Sequence, residues 1–134
     1  MMRKYALERG ATLLRRMLFR LNRAAELRDP ESIHDLRVSI RRFQQCLRAF
    51  HAFLPRREVR KVRQRLREVM ELSGEVRNRD VALDLVQRSG LSASSALSSR
   101  LMRERKQFQG ELVALLDHWS RRDVSRRWGA RLGL

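Results

Sequence analysis

The chain has 134 residues, of which 43% are hydrophobic, and its formal net charge is +16 at pH 7. The length suits one domain with a sizeable core, so we predict a single domain over residues 1–134. The hydrophobic content excludes a disordered polyelectrolyte, because disorder at high charge goes with scarce apolar residues. Repulsion among so many like charges destabilises a compact fold. The charge is therefore interpreted as a feature for binding an anionic partner.

Arginine supplies nearly all of the positive charge, since Lys4, Lys61 and Lys106 are the only lysines among 31 basic residues. A guanidinium group binds phosphate oxygens two at a time and stays charged at neutral pH. The type of charge therefore favours a phosphate-bearing partner.

The compartment is predicted from three features of the sequence. Cys46 is the lone cysteine, so no intrachain disulfide is possible; we expect it to be a small buried hydrophobe in a reducing compartment. No apolar run reaches the roughly 20 residues of a membrane span. The first residues lack the apolar core of a signal peptide. We therefore predict a cytoplasmic protein that does not associate with membranes.

Apolar residues at helical spacing predict a first helix over residues 3–28. Gly10 is expected to weaken its first turns by about 1 kcal/mol relative to alanine. The side chains predicted to face the core are Leu7, Ala11, Leu14, Leu18, Leu21 and Ala25.

A second helix is predicted from Pro30 to Leu54. Asp29 can cap its start, and Pro30 suits the first helical position because its missing N–H would have no partner there. Pro55 marks its end. Its predicted core face comprises Leu36, Ile40, Phe43, Leu47, Phe50 and Leu54.

The remaining pattern predicts a third helix at 57–72, ended by Ser73 with Gly74 as its C-terminal cap. Three further helices are predicted, at 78–88, 94–119 and 121–131, with a small-residue connection at 91–95. Apolar residues at core spacing in these four helices are Val59, Val62, Leu66, Val69, Val81, Leu85, Val86, Leu101, Phe108, Leu112, Leu115, Trp119, Val124, Trp128 and Leu132. No β-branched alternation typical of strands occurs, so we predict an all-α antiparallel bundle of four main helices plus short ones.

The outer face of the second helix carries His34, Arg37, Arg41 and Arg48, with no acid from Arg37 to Arg48, a rise of about 16 Å. A solvated helix face usually mixes signs, so this face is interpreted as an anion-binding surface. Arg60, Arg63 and Arg67 line the outer side of the third helix in the same way. For these three, a solvated face is the competing interpretation, because Glu68 and Glu71 lie close enough in sequence to pair with Arg67.

The histidines carry weaker signals. His34 is interpreted either as a structural histidine beside the basic groove or as a phosphate contact that strengthens below about pH 6.5. His51 and His118 are isolated in the sequence and are interpreted as incidental.

Two motifs resemble those of a known family. His34-x-x-Arg37-Val38-x-x-Arg41-Arg42, continuing through Leu47-Arg48-x-Phe50, resembles the signature of CHAD domains, which are named for conserved histidines in an α-helical domain. Gly74-x-x-Arg77-x-x-Asp80-Val81 resembles the second motif of that family. The resemblance implies a helical bundle that binds inorganic polyphosphate through a basic surface, often at polyphosphate granules, and implies no catalysis.

The chain departs from the family pattern in three ways. Family domains usually hold two related bundles, so this chain resembles one half of a CHAD domain. Gln44 and Gln45 stand where the family often adds a basic residue, and Asn78 stands where the second motif usually has Asp. The missing half suggests a homodimer whose twofold axis replaces the family's internal pseudo-symmetry.

We therefore predict polyphosphate binding in a groove between the second and third helices, with no cofactor and no metal. Arg77 is expected either to join the groove or to pair with Asp80. The predicted binding residues are His34, Arg37, Arg41, Arg42, Arg48, Arg60, Arg63, Arg67 and Arg77.

The main alternative is sequence-independent nucleic-acid binding, which explains the charge equally well. Against it, the basic face carries no aromatic residue for base stacking, and no recognition helix is evident. An enzyme acting on polyphosphate is not expected, because the acids are scattered singly and no GxxxxGK[ST] loop is present. A protein–protein adaptor with an acidic partner is the third alternative.

Overall fold

The computed structural model describes residues 1–90 and 95–134, apart from the side chains at positions 121 and 125. Within these residues the chain forms five α-helices and no strand, which confirms the all-α prediction. Each long helix contacts the next along the chain and the fourth returns to the first, so that the four close into a bundle. The helices are α1 (Met2–Leu27), α2 (Pro30–Ala49), α3 (Arg56–Arg88), α4 (Ala96–Arg121) and α5 (Val124–Leu132).

Helix α2 begins as predicted. Pro30 is its first residue, and the Asp29 side chain accepts a hydrogen bond from the Ser32 N–H at 3.0 Å. The helix ends at Ala49 rather than Leu54, and a short 3-10 turn spans His51–Phe53. Leu54 is extended because the residue before a proline is disfavoured in the helical conformation.

The prediction that the third helix ends at Gly74 is wrong. Helix α3 runs without a break through Ser73 and Gly74 to Arg88 and absorbs the separate helix predicted at 78–88. Ser73 and Val76 are fully buried on either side of the glycine. Their burial offsets the cost of a mid-helix glycine, about 1 kcal/mol relative to alanine. Most of the connection predicted at 91–95 lies outside the described residues.

The core-facing side of α1 is rotated from the predicted one. Leu14 and Leu21 are buried as predicted, whereas Leu7 and Leu18 are only partly buried. Gly10 is itself buried, and a Cβ there would lie 2.8 Å from the Leu134 side chain. The end of the chain therefore packs over α1 where only a glycine leaves room. The buried residues of α1 are Ala6, Gly10, Leu13, Leu14, Met17, Leu21 and Ala24.

The core residues predicted for α2 and for the first half of α3 are confirmed, except that Phe50 is only partly buried. Trp119 and Trp128 are core residues, as predicted, and pack edge to face with ring centroids 5.1 Å apart. Cys46 is also buried, and burial raises the pKa of its thiol. In α4, Leu112 is buried as predicted, joined by Leu116. The other predicted core residues of α4 are partly buried: Leu101, Phe108 and Leu115.

A polar network joins α3 and α4 to the turn between α1 and α2. Arg105 pairs with Asp80 of α3, and its guanidinium also donates to the Arg28 carbonyl at 3.1 Å. Gln109 donates to the same carbonyl at 3.3 Å. Arg28 adopts a left-handed backbone conformation with φ of 60°, which ends α1. Residues 80 and 105 therefore lie level with the turn that joins α1 to α2.

Beyond that level α3 and α4 continue without α1 and α2 beside them. We refer to residues 81–90 and 95–104 as the distal hairpin. Four of its apolar side chains are exposed: Val81, Leu85, Leu97 and Met102. None of the helices in the described ranges combines the length and apolar character that crossing a bilayer requires.

Candidate functional site

Arg37 lies half-buried between α2 and α3 and is held by polar groups of α3. Its Nη1 donates to the Met70 carbonyl oxygen at 2.6 Å and to the Ser73 hydroxyl at 2.9 Å. A Cβ at Gly74 would lie 3.0 Å from the same nitrogen, so the glycine makes room for the guanidinium. The two sequence motifs thus meet in space: the arginine of the first packs on the glycine of the second.

Among the residues that the structure describes, the guanidinium of Arg37 has positive neighbours and no carboxylate within ion-pair distance. Burial lowers its pKa, and repulsion from Arg41 and Arg77 lowers it further. An arginine remains protonated at neutral pH despite such a shift. The three side chains therefore concentrate positive charge at one place on the α2–α3 surface, and an anion bound there would relieve their repulsion.

Further arginines lie on the same side of α3, toward the N-terminus of that helix. On a helical projection Arg60, Arg63, Arg67 and Arg77 share the side of α3 that carries Gly74. The first three line a cleft of about 450 Å³ together with His51. Because α2 and α3 are antiparallel and Arg37 meets Ser73, the register brings Arg48 level with Arg63.

His51 lies at this cleft although it is isolated in the sequence. Its Nδ1 lies 3.0 Å from the Arg48 carbonyl oxygen, in the turn that joins α2 to α3. Sequence spacing could not reveal this position, because the 3-10 turn that carries it was predicted to be helical.

None of the nine predicted binding residues is paired with a carboxylate among the residues that the structure describes. Glu68, which could have paired with Arg67, instead lies 3.9 Å from Arg65. Asp80 pairs with Arg105 and is not paired with Arg77, and Arg77 lies close enough to Arg37 to lower the pKa of its guanidinium. The described part of the chain also holds no group of three or more His, Cys, Asp or Glu side chains arranged to hold a metal ion.

His34 and Arg42 lie at a different cleft from Arg37. Both line a cleft of about 650 Å³ between α1 and α2, away from the place where Arg37 meets α3. The structure therefore does not bring all nine predicted residues into one groove. The cleft also contains residues of α1 that the sequence analysis did not single out: Arg15, Arg16, Phe19 and Arg20.

The comparison with protein families gives one match. The family model of the CHAD domain matches residues 11–133, nearly the whole chain. No curated protein and no solved structure matches the chain.

Proposed function

The chain belongs to the CHAD domain family, and from this membership we propose that it binds inorganic polyphosphate on the surface between α2 and α3. The family is associated with polyphosphate binding. The observation that carries the proposal is that Arg41 and Arg77 both repel the half-buried Arg37, while none of the three is paired with a carboxylate of the described residues. We refer to the proposed site as the α2–α3 arginine surface, formed by Arg37, Arg41, Arg48, Arg60, Arg63, Arg67 and Arg77.

The arrangement suits a linear polyanion. From Arg60 to Arg77 the surface extends about 25 Å along α3 at the rise of an α-helix. Arg37 is held in place by Met70 and Ser73, so little side-chain entropy is lost when it meets a phosphate. Arginines along the surface can each clamp non-bridging oxygens, and the counterions they displace make the affinity fall steeply with salt.

The test replaces Arg41, Arg48 and Arg77 together with Gln and leaves Arg37 in place, because Arg37 also joins α2 to α3. Polyphosphate affinity should fall by at least tenfold while helicity by circular dichroism is unchanged. The matched control replaces three exposed arginines elsewhere, Arg3, Arg103 and Arg126, which removes the same charge. Equal loss of affinity in both variants would contradict the proposal, because binding would then follow net charge alone.

Nucleic acids are the competing ligands, since phosphate contacts without base contacts distinguish backbones poorly. Labelled long polyphosphate, challenged with duplex DNA and with RNA at one salt concentration, separates the two functions. We expect polyphosphate to be displaced only by a large excess of either nucleic acid. Displacement at equal phosphate concentration would favour nucleic-acid binding instead.

We propose binding rather than catalysis at this surface. Three acids of α2 and α3 are paired with arginines outside this surface: Asp35 lies 3.5 Å from Arg20, Glu68 lies 3.9 Å from Arg65, and Asp80 pairs with Arg105. A polyphosphate-binding protein without enzymatic activity is expected in the cytoplasm at polyphosphate granules. Colocalisation of a fluorescent fusion with stained granules, lost in the Arg41, Arg48, Arg77 variant, tests that location.

We also propose that two copies associate through the distal hairpin. Its exposed apolar side chains Val81, Leu85, Leu97 and Met102 lie where α1 and α2 do not reach. Next to the hairpin, Glu75 and Glu104 pair with Arg79, which lowers the repulsion between copies near this end of the molecule. Two hairpins related by a twofold axis would bury these side chains in a four-helix contact.

Sedimentation velocity at micromolar concentration, with and without polyphosphate, tests the dimer. The wild-type chain should sediment as a dimer in at least one condition, and Leu85→Asp with Leu97→Asp should make it monomeric. The control is Met2→Asp, which changes an exposed apolar residue at the start of α1, away from the distal hairpin. This variant should remain dimeric. A wild-type monomer in both conditions would contradict the dimer and leave the polyphosphate proposal intact.

A further inference from the structure

The cleft between α1 and α2 differs in character from the α2–α3 arginine surface. Its basic side chains are Arg15, Arg16, Arg20, His34 and Arg42, and apolar side chains of Leu13, Phe19 and Val38 form part of its walls. Its volume of about 650 Å³ lies in the range of small-molecule sites. Such a mixed lining suits a ligand that has both an anionic and an apolar part.

The charge of the cleft is largely uncompensated. Asp35 is the one carboxylate among the described residues that line it, and it lies 3.5 Å from Arg20. The described residues place no carboxylate within ion-pair distance of Arg15, Arg16 or Arg42. Three guanidinium groups are thus available to an anion with several phosphate oxygens.

Phe19 gives the cleft an exposed aromatic ring, which a ligand made only of phosphate would not contact favourably. Its side chain is 57% exposed on the surface of α1. The guanidinium carbons of Arg20 and Arg23 lie 5.5 and 5.9 Å from the centroid of its ring. An exposed ring flanked by guanidinium groups is a stacking platform for a planar base, because base, ring and guanidinium stack favourably on one another.

From this combination we propose that the α1–α2 cleft binds a nucleotide carrying several phosphates. Its base stacks on Phe19, and its phosphates contact Arg15, Arg16 and Arg42. The site is separate from the α2–α3 arginine surface because Arg37 and Arg42 project from different sides of α2, toward α3 and toward α1. The proposal therefore does not depend on polyphosphate binding.

The experiment compares ATP with tripolyphosphate, which has the phosphates and no base, by calorimetric titration without divalent metal. It uses the full chain with Arg41, Arg48 and Arg77 replaced by Gln, so that the other surface contributes little. ATP should bind roughly tenfold more tightly than tripolyphosphate, the gain expected from stacking one base. Adding Phe19→Ala should abolish that difference by weakening ATP alone, and Phe19→Trp should restore it.

Two further variants distinguish the two parts of the site. Arg16→Gln with Arg42→Gln should weaken ATP and tripolyphosphate alike, because both ligands carry phosphates. Equal affinity for the two ligands before any change at Phe19 would overturn the proposal, as would a Phe19→Ala variant that keeps the preference for ATP. A single-stranded oligonucleotide that binds more tightly than ATP and is weakened by Phe19→Ala would also overturn it, in favour of a strand-binding surface.

Discussion

At the scale of single residues, two glycines in helix interiors have opposite roles. Gly74 leaves room for the Arg37 guanidinium, which a Cβ would approach to 3.0 Å, whereas a Cβ at Gly110 would meet nothing within 4 Å. Alanine at either position gains helix propensity. Only at Gly74 does the added methyl group press on a side chain that is hydrogen-bonded to Met70 and Ser73.

We therefore predict that Gly74→Ala weakens polyphosphate binding severalfold and stabilises the protein little or not at all. Gly110→Ala, the matched control, should stabilise it by about 1 kcal/mol and leave binding unchanged. Urea denaturation and polyphosphate titration measure the two effects. Equal stabilisation by both substitutions with intact binding would show that Arg37 moves aside without consequence.

At the scale of helices, the C-terminus of α1 and the N-terminus of α2 are stabilised by two different kinds of contact. Asp29 caps α2 within its own turn, so its role was evident from local sequence. The end of α1 is held from a distance by Arg105 and Gln109 of α4, which donate to the Arg28 carbonyl. No local pattern could have revealed this second contact, because the partners lie far apart along the chain.

The cap of α2 predicts a pH dependence. Hydrogen bonds from Ser32 lower the pKa of the Asp29 carboxyl group. A carboxylate with a lowered pKa in the folded state stabilises the protein above its ordinary pKa, and that contribution is lost as the pH falls through the lower folded-state value. Asp29→Asn should remove this part of the acid dependence, so its melting temperature should approach or pass that of the wild type in acid. A difference between the two melting temperatures that stays constant with pH would contradict the prediction.

The network around Arg105 predicts a larger loss of stability. The Asp80 side chain is 6% exposed, and Arg105→Ala would leave its charge buried without a partner. We expect a loss of about 3 kcal/mol in the free energy of unfolding, as for other broken buried pairs. Arg103→Ala, an exposed neighbour on the same helix, should change it by less than about 0.5 kcal/mol.

A second substitution tests the cause of that loss. Asp80→Asn in the Arg105→Ala background should recover part of the stability, because it removes the unpaired charge. Arg105 also donates hydrogen bonds to the Gln109 side-chain oxygen at 2.6 Å and to the Arg28 carbonyl. No recovery would indicate that these hydrogen bonds account for the loss instead.

At the scale of the whole molecule, the net charge of +16 opposes folding. Several of the ion pairs do little to balance it: Lys4–Glu8, Arg65–Glu68 and Arg88–Asp84 join exposed side chains, and exposed pairs contribute about 0–1 kcal/mol each. A ligand that neutralises the surface should therefore stabilise the fold as well as bind to it.

We predict that the melting temperature rises with sodium chloride concentration, because salt screens the repulsion between like charges. Polyphosphate at low salt should raise it further through preferential binding to the folded state. Differential scanning calorimetry at several salt concentrations measures both effects. A melting temperature that falls with added salt would mean that the exposed ion pairs outweigh the net charge.

Local sequence was enough to determine the helical class, the core faces of α2 and of the first half of α3, and the cap at Asp29, because periodicity and capping depend on neighbouring residues. It failed for Val81 and Leu85, which were predicted to be core residues and are exposed. The same information gave the acid-free row of arginines on α2, since a helix places residues at fixed angles. It could not show that α3 continues through Gly74, because the reason for the glycine is Arg37 on another helix. Nor could it divide the basic residues between two clefts, since the packing of α1 beside α2 decides which of them meet Phe19. Contacts between residues distant in sequence arise only when the helices pack, and those contacts separated Arg37 from Arg42.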